Sequence, residues 1–216
     1  MDAVIFDMDG VLFDTERLYL EGWVQVAKKR KIHGIEEAAK GCIGRNRNDC
    51  RAYMQAQYGE AFDYDNYREA VDSWVKTHIK IYGLSMKSGV KELLEYLKRR
   101  KIPVALATST SYQTTLNHLK SAGIADYFRV IVTGDLIEHS KPNPDIYLLT
   151  CRKLGATPGK TYAIEDSPNG VLAAYRAGLK TLLVPDMIEP THDMRSQSFQ
   201  IFDNLTEVVR YFQEIV

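Results

Sequence analysis

The stretch Val4–Glu16 reads VIFDMDGVLFDTE and places two aspartates, Asp7 and Asp9, directly after a run of apolar residues. A continuously apolar run, without alternation, is typical of a strand that is buried on both faces of a parallel sheet. One carboxylate at the end of such a strand could cap a turn, but two at this spacing need a further explanation. Residues two apart on an extended chain point to the same side, about 6–7 Å apart, so both carboxylates can face one site.

Five further apolar runs repeat the pattern of the first, which spans Ala3–Phe6. They are Val104–Ala107, Val130–Val132, Tyr162–Ile164, Thr181–Val184 and Gln200–Phe202. From Ser88 onward these runs alternate with helical patterns, several of which end at a glycine. Strand–helix alternation predicts an α/β fold with a Rossmann-like parallel sheet core, in which helices cover both faces and make three layers, α/β/α. Residues 185–199 predict a long surface loop.

The segment between the first and second strands breaks this alternation, because it is far longer than the dozen or so residues that a parallel crossover needs. It contains no convincing strand. Its helical patterns are Glu16–Lys31, Asn46–Tyr58 and Tyr64–Tyr82. We therefore expect residues 15–85 to form an α-helical cap domain with its own small core, inserted into an α/β core domain made of residues 1–14 and 86–216.

The composition is that of an ordinary globular protein with no charge bias. The chain has 216 residues, with 28 Lys plus Arg against 28 Asp plus Glu, so its net charge is zero. This balance gives no reason to expect a nucleic acid or a membrane as partner. The N-terminus has no basic segment of a signal peptide, and the three cysteines lack a CxxC spacing. We expect a monomeric, cytoplasmic protein with reduced thiols.

Polar residues follow the predicted strands at the points where the strands end. They are Asp7 after the first strand, Thr108 and Ser109 after the second, Lys141 after the third, and Glu165 and Asp166 after the fourth. In a parallel sheet these positions meet along one edge, and clustered carboxylates are stable only with a cation among them. Oxygen ligands without His or Cys favour Mg²⁺, and hydroxyls with a lysine favour an anionic substrate such as a phosphate. Each residue alone could be an ordinary cap or surface side chain; their order along the strands is the specific signal.

Four motifs in this order resemble those of the haloacid dehalogenase-like hydrolases, and the resemblance covers nearly the whole chain. The motifs are DMDGVLFD from Asp7 to Asp14, LATS ending at Ser109, SKPNP containing Lys141, and IEDS containing Glu165 and Asp166. Within the family, the chain is similar to the branch with a helical cap inserted after the first strand. That branch includes small-molecule phosphatases and β-phosphoglucomutase.

The resemblance implies a catalytic role for several of these residues. Asp7 would be the nucleophile that accepts the phosphoryl group as an aspartyl-phosphate. Asp9 would protonate the leaving oxygen and then activate the water that hydrolyses the intermediate. Thr108 and Lys141, with Ser109, would hold the phosphoryl oxygens. Phosphoryl transfer needs positioning and charge neutralisation above all, which suits this set of residues.

The resemblance also implies Mg²⁺ as the cofactor. Its ligands would be Asp7, the carbonyl of Asp9, and Asp166 with Glu165; which of the last two contacts the ion directly is left open. The implied function is a Mg²⁺-dependent phosphatase acting on a small phosphate monoester, such as a sugar phosphate or a similar small phosphorylated metabolite. The dehalogenases of this fold lack the second aspartate, so Asp9 favours phosphoryl chemistry.

The alternatives to a phosphatase differ from it in the residues of the cap and of the loops. The mutase pattern has a His near Tyr19 and a Lys-Asn pair where this chain has Ser111-Tyr112. Only the cap arginine of that pattern has a counterpart here, Arg47. We therefore expect a phosphatase, with a β-phosphoglucomutase-like sugar-phosphate mutase as the alternative, and predict that Arg47, with Arg45, binds distal polar groups of the substrate. A receiver-like phospho-signalling module is a remote alternative, because receivers have no long insert after the first strand.

Overall fold

A computed structural model of the chain describes residues 1–43 and 47–215. The chain folds into two compact units, called here the α/β unit (Met1–Asp14 with Leu84–Val216) and the helical unit (Thr15–Gly83). The helical unit therefore ends two residues before residue 85, the end of the cap domain expected from the sequence.

A six-stranded parallel sheet forms the centre of the α/β unit. Its strands are β1 (Ala3–Phe6), β2 (Val104–Thr108), β3 (Val130–Thr133), β4 (Thr161–Glu165), β5 (Lys180–Leu183) and β6 (Gln200–Ile201). Their order across the sheet is β3-β2-β1-β4-β5-β6, and all neighbours are parallel. Phe6, the last residue of β1, lies between Leu106 of β2 and Ile164 of β4. The carboxyl end of β1 is therefore where the strand order reverses, the position at which open α/β sheets bind ligands.

The part of the chain that the structure describes contains ten α-helices. They are α1 (Thr15–Arg30), α2 (Ile35–Lys40), α3 (Arg47–Tyr58), α4 (Tyr64–Tyr82), α5 (Val90–Arg99), α6 (Tyr112–Ser121), α7 (Asp145–Leu154), α8 (Pro168–Arg176), α9 (His192–Gln197) and α10 (Leu205–Ile215). Among the described residues, no helix combines the length and the apolar character needed to cross a membrane.

Both faces of the sheet are covered, and this explains why the strands are continuously apolar. Val4 and Phe6 of β1 belong to a buried cluster that includes residues of α5 and α10. Ile5, which points to the opposite face, belongs to a second buried cluster that includes residues of α7 and α8. Successive strand residues thus enter different layers of core, and the predicted three-layer α/β fold is confirmed.

The helical unit has a core of its own, formed by residues of α1 to α4. Trp23 of α1 and Tyr67 of α4 stack at 5.0 Å between ring centroids, and the Tyr67 hydroxyl donates to the Trp23 carbonyl at 2.7 Å. Cys42 and Cys50 are buried free thiols in this unit, as is Cys151 in the α/β unit, so the expectation of unpaired cysteines is confirmed.

Residues 185–199 are not entirely a loop, as the sequence suggested, because they contain the short helix α9. The hydroxyl of Thr191 accepts a hydrogen bond from the Met194 N–H at 3.2 Å and caps this helix. Met194 is buried against Val171 and Leu183, which anchors the segment to the sheet. Six residues are too few for a helical repeat of apolar positions to be visible in a sequence.

Candidate active site

The loop after β1 carries the carboxylates of Asp7 and Asp9, and its apolar residues fix its backbone against the hydrophobic core. The Asp7 N–H donates to the Ile164 carbonyl at 3.0 Å and continues the β1–β4 ladder by one residue. Met8, between Asp7 and Asp9, is fully buried in the hydrophobic cluster on one face of the sheet. The Met8 carbonyl then accepts from the Phe13 N–H at 3.1 Å, which closes the loop. The apolar side chains therefore fix the backbone that carries the two aspartates.

Gly10 allows the Asp166 carboxylate to approach this loop. The φ angle of Gly10 is 80°, in the left-handed region that other residues adopt only with strain. A Cβ atom at this position would lie 2.0 Å from Asp166 Oδ2, closer than any real contact. The glycine of the DxDG motif is therefore required both by the turn and by the position of the second acidic motif.

Lys141 joins the first and fourth motifs. Its ammonium group donates to Asp7 Oδ1 at 2.6 Å, to Glu165 Oε1 at 2.6 Å and to the Ala107 carbonyl at 3.1 Å. All three donors of the ammonium are thereby engaged. The side chain is 7% exposed, so these are buried, charge-assisted contacts. Three of the residues that were predicted from different parts of the sequence thus meet at one point.

The Glu165 carboxylate accepts hydrogen bonds from four donors. Oε1 accepts from Lys141 and from the Tyr147 hydroxyl, the latter at 2.5 Å. Oε2 accepts from the Asp166 N–H at 3.2 Å and from the Ser167 hydroxyl at 3.3 Å. The acceptor capacity of a carboxylate is about four hydrogen bonds. A metal ion would therefore contact Glu165 only by displacing one of these donors.

Three carboxylates form a buried acidic cluster that could hold a metal ion. Asp7, Glu165 and Asp166 each offer an oxygen atom, and these atoms lie within 4.8 Å of one another. All three residues are buried. An all-oxygen donor set of this size fits a hard divalent cation such as Mg²⁺.

The raised pKa of the Asp7 carboxyl follows mainly from its burial. Burial raises the pKa of the Asp7 carboxyl to about 8, and the charges of Glu165 and Asp9 act in the same direction against the opposing effect of Lys141. Burial would lower the pKa of Lys141, but Asp7 and Glu165 outweigh it and raise that pKa above its ordinary value. The lysine therefore remains charged, and one cation does not balance the carboxylates around it.

The end of β2 contributes hydroxyl groups. Thr108 is buried, and its hydroxyl oxygen accepts from the Thr110 N–H at 3.1 Å, which leaves the hydroxyl proton available for another acceptor. Ser109 is exposed, and its carbonyl packs against Gly134, where a Cβ would lie only 2.4 Å away. The Thr110 hydroxyl donates to Asp9 Oδ2 at 2.8 Å. This last contact links the second motif to the first.

Arg47, the predicted cap residue, lies at the start of α3 in the helical unit. Its guanidinium donates to Asp65 Oδ1 at 3.0 Å, and Arg51 donates to the same carboxylate at 2.9 Å. The guanidinium of Arg47 is thus engaged by an acidic residue of its own unit. Arg45 lies outside the described residues.

Two residues of this site were not identified from the sequence, Tyr147 and Thr110. Tyr147 lies on the buried face of α7, where an aromatic residue is interpreted as core. Thr110 is the third residue of a Thr-Ser-Thr run whose first two members were identified. The run of hydroxyls was a signal for Thr110, whereas no local pattern distinguished Tyr147 from a packing residue.

Tyr147→Phe is expected to destabilise the α/β unit by about 1.5–3 kcal/mol, the usual contribution of a hydrogen bond to a charged group. The reason is that Glu165 is fully buried and loses one of its donors, while the shape of the side chain is kept. Urea unfolding of the two proteins measures the difference.

Tyr96→Phe is the matched control for this variant. The buried Tyr96 hydroxyl donates to a neutral acceptor, the Phe212 carbonyl, at 2.8 Å. Its removal is expected to destabilise by about 1 kcal/mol, the typical value for a neutral hydrogen bond. Equal losses for the two variants would show that the Glu165 carboxylate does not depend on Tyr147.

Comparison with known proteins places this geometry in a family. The chain matches the family model of the haloacid dehalogenase-like hydrolases over residues 4–184. A phosphorylated carbohydrates phosphatase from Thermotoga maritima is 35% identical over 184 residues, which cover 84% of this chain and 84% of that protein. Residues 4–184, which the family model matches, contain all four motifs described above.

Solved structures have the same fold along the whole chain. A hydrolase of this family from Deinococcus radiodurans, crystallised with bound phosphate and sodium, has a TM-score of 0.85 at 25% identity and covers 99% of this chain and 96% of that one. A β-phosphoglucomutase from Clostridium difficile has a TM-score of 0.75 at 22% identity with the same coverage of 99% and 96%, a likeness of fold alone. The chain therefore belongs to the haloacid dehalogenase-like hydrolases and is a phosphoric monoester hydrolase of that family.

Proposed function

We propose that this protein is a Mg²⁺-dependent phosphatase that hydrolyses a small phosphate monoester of the phosphorylated carbohydrate class through an aspartyl-phosphate on Asp7. The observation that carries the proposal is the buried contact of Lys141 with both Asp7 and Glu165 at 2.6 Å, beside Asp166. The substrate class is supported by the phosphorylated carbohydrates phosphatase that is 35% identical to this chain.

The first half-reaction transfers the phosphoryl group to the protein. Lys141 exchanges its bond to Asp7 Oδ1 for a phosphoryl oxygen, and the Thr108 hydroxyl donates to another. The freed Asp7 oxygen attacks phosphorus, and the bond from phosphorus to the leaving oxygen breaks. The leaving oxygen keeps the electron pair and takes a proton from Asp9, which yields the alcohol.

The second half-reaction restores the protein. Asp9, now ionised, accepts a proton from a water molecule as that water attacks phosphorus. The bond between phosphorus and the Asp7 oxygen breaks, and Asp7 returns to a carboxylate as inorganic phosphate forms. The net change is one ester and one water converted to one alcohol and one phosphate.

Asp7 and Asp166, with the carbonyl of Asp9, are the residues that we propose as direct ligands of Mg²⁺. Glu165 belongs to the same acidic cluster, but four donors already occupy its carboxylate. We therefore assign it mainly to holding Lys141, with contact to the ion only if one of these donors is released. When bound, Mg²⁺ supplies neutralisation of the negative charge on the nucleophile and on the phosphoryl oxygens.

Asp166→Asn is expected to weaken Mg²⁺ binding by about 10–100-fold, because it removes the negative charge of one ligand. Asp9→Asn is expected to change the affinity by less than about 3-fold, because only its backbone carbonyl is proposed to contact the ion. Isothermal titration calorimetry without substrate measures both constants. A comparable loss of affinity in the two variants would contradict this division of roles.

The mutase alternative gains no support from the positions that distinguish it. The Tyr19 ring lies under the guanidinium of Arg68 at 4.5 Å, within the helical unit. The Ser111 hydroxyl donates to Thr114 at 3.1 Å, and the Tyr112 N–H donates to Asp135 at 3.3 Å. Arg47 stays a proposed contact for distal substrate groups and would have to share or release Asp65 to make it. A receiver is not favoured either, because the helical unit, Thr15–Gly83, is inserted between β1 and β2.

A phosphate-release screen over sugar phosphates, nucleotides and small phosphate esters, with and without Mg²⁺, tests the proposal. We expect release from at least one sugar phosphate that depends on Mg²⁺ and is lost on chelation. Interconversion of hexose phosphates stimulated by a bisphosphate would favour the mutase instead. Failure to hydrolyse any ester would refute the phosphatase.

A further inference from the structure

Asp9 needs a defined orientation as well as a defined position, since only a correctly aimed oxygen can pass a proton to the leaving group. Its backbone is held by the neighbouring Gly10, whose N–H donates to the Phe13 carbonyl at 2.9 Å. The carboxylate itself can still rotate about its last side-chain bond, where torsional preferences are broad. Its orientation must therefore come from a group outside the loop.

Thr110, which lies in the loop after β2, contacts Asp9 in the loop after β1. Its hydroxyl donates to Asp9 Oδ2 at 2.8 Å, across a separation of 101 residues in the chain. This distance is that of a strong hydrogen bond from a hydroxyl to an acceptor. Oδ2 thus accepts this bond, and the opposite oxygen, Oδ1, is left without a contact to Thr110.

The backbone of Thr110 is held by hydrogen bonds at both its N–H and its carbonyl, which fixes where its side chain starts. Its N–H donates to the Thr108 hydroxyl oxygen at 3.1 Å. Its carbonyl accepts from the hydroxyl of Thr115, a buried residue of α6, at 3.5 Å. The residue is thus tied to the end of β2 and to the first turns of the following helix.

We propose that Thr110 is a positioning residue for the acid–base step, which holds Asp9 Oδ2 so that Oδ1 faces the leaving oxygen and then the hydrolytic water. This inference rests on the proposed function, because it assigns a task to the acid–base group of that reaction. A hydroxyl suits the task because it is neutral and can bond a carboxyl group in both of its protonation states. A lysine at the same place would instead hold Asp9 in its ionised form.

The test compares phenyl phosphate with 4-nitrophenyl phosphate. The leaving group of the first depends on protonation far more than that of the second. Thr110→Val keeps the shape of the side chain and removes the hydroxyl. We expect kcat/KM for phenyl phosphate to fall about 10–100-fold, because misorientation of Asp9 loses only part of the roughly 10²–10⁴-fold that general acid catalysis contributes. For 4-nitrophenyl phosphate, whose leaving group needs little protonation, we expect a fall of less than about 3-fold.

Two further variants separate positioning from general damage. Thr110→Ser keeps the hydroxyl and is expected to restore the wild-type ratio between the two esters. Thr114→Val makes the same chemical change at an exposed residue of α6 and is expected to leave that ratio unchanged. Because a structural defect slows both esters alike, the ratio reports the orientation of Asp9.

The outcomes separate this proposal from the proposed function. Suppose that the wild-type protein hydrolyses both esters. If Thr110→Val then loses kcat/KM equally for both, or loses none, the role of Thr110 is refuted and the phosphatase is not. A wild-type protein that hydrolyses neither these two esters nor any ester of the phosphate-release screen would refute the phosphatase, and the role of Thr110 would fall with it.

Discussion

Asp7→Asn is expected to lower phosphate release by more than about 10⁴-fold, on the scale of other nucleophile replacements, while the protein stays folded. The amide cannot form the acyl phosphate, so no other residue of the site can complete the first half-reaction. The fold should tolerate the change because the new side chain has the same size. The neutral amide also replaces a carboxyl group whose pKa burial raises to about 8, with Glu165 and Asp9 acting in the same direction.

Phosphate release from an ester that the wild-type protein hydrolyses measures this effect. Thermal unfolding of the wild-type protein and of Asp7→Asn checks the fold. We expect the free energy of unfolding to change by less than about 2 kcal/mol. Asp126→Asn, the same change at an exposed residue of the α/β unit, is the control and should retain full activity. Activity within 10-fold of wild type in Asp7→Asn would show that the nucleophile is misassigned.

Lys141→Met is expected to lower the free energy of unfolding by about 3–5 kcal/mol, the usual effect of removing one partner of a buried ion pair. Lys141 is the cation that contacts Asp7 and Glu165, and Glu165 is fully buried. Methionine keeps most of the side-chain volume, so lost packing should contribute little. Urea unfolding in the presence of a chelator measures the loss, because a divalent cation could otherwise replace the missing charge.

Adding Glu165→Gln to this variant tests the cause. A neutral amide does not need a counter-ion, so the double variant should recover at least about 1–2 kcal/mol of the loss. Glu165→Gln alone leaves Lys141 with Asp7 and is expected to be less harmful than Lys141→Met. An unfolding midpoint of Lys141→Met equal to that of the wild-type protein would contradict a buried charge cluster. Lys141→Met and the double variant should both lack phosphatase activity.

The fold could be predicted from the sequence because strands that are buried on both faces of a sheet appear as continuous apolar runs. Each strand of the sheet lies at an apolar run, and the long segment after β1 has the periodicity of helices. The short helices α2 and α9 were not predicted, since six residues are too few to show that periodicity. What was predictable was thus what repeats along the chain.

The candidate site was predictable as a set of residues, because parallel strands bring their carboxyl ends to one edge of a sheet. The sequence by itself determined that Asp7, Lys141 and Glu165 would be neighbours, and the resemblance of their motifs to those of a known family indicated their chemistry. Only the tertiary structure decided how they are connected, with Lys141 between the two carboxylates at 2.6 Å. It also decided that Thr110 holds Asp9 and that Tyr147 holds Glu165. The physical reason is that hydrogen bonds depend on side-chain directions across distant segments, which no local pattern of residues records.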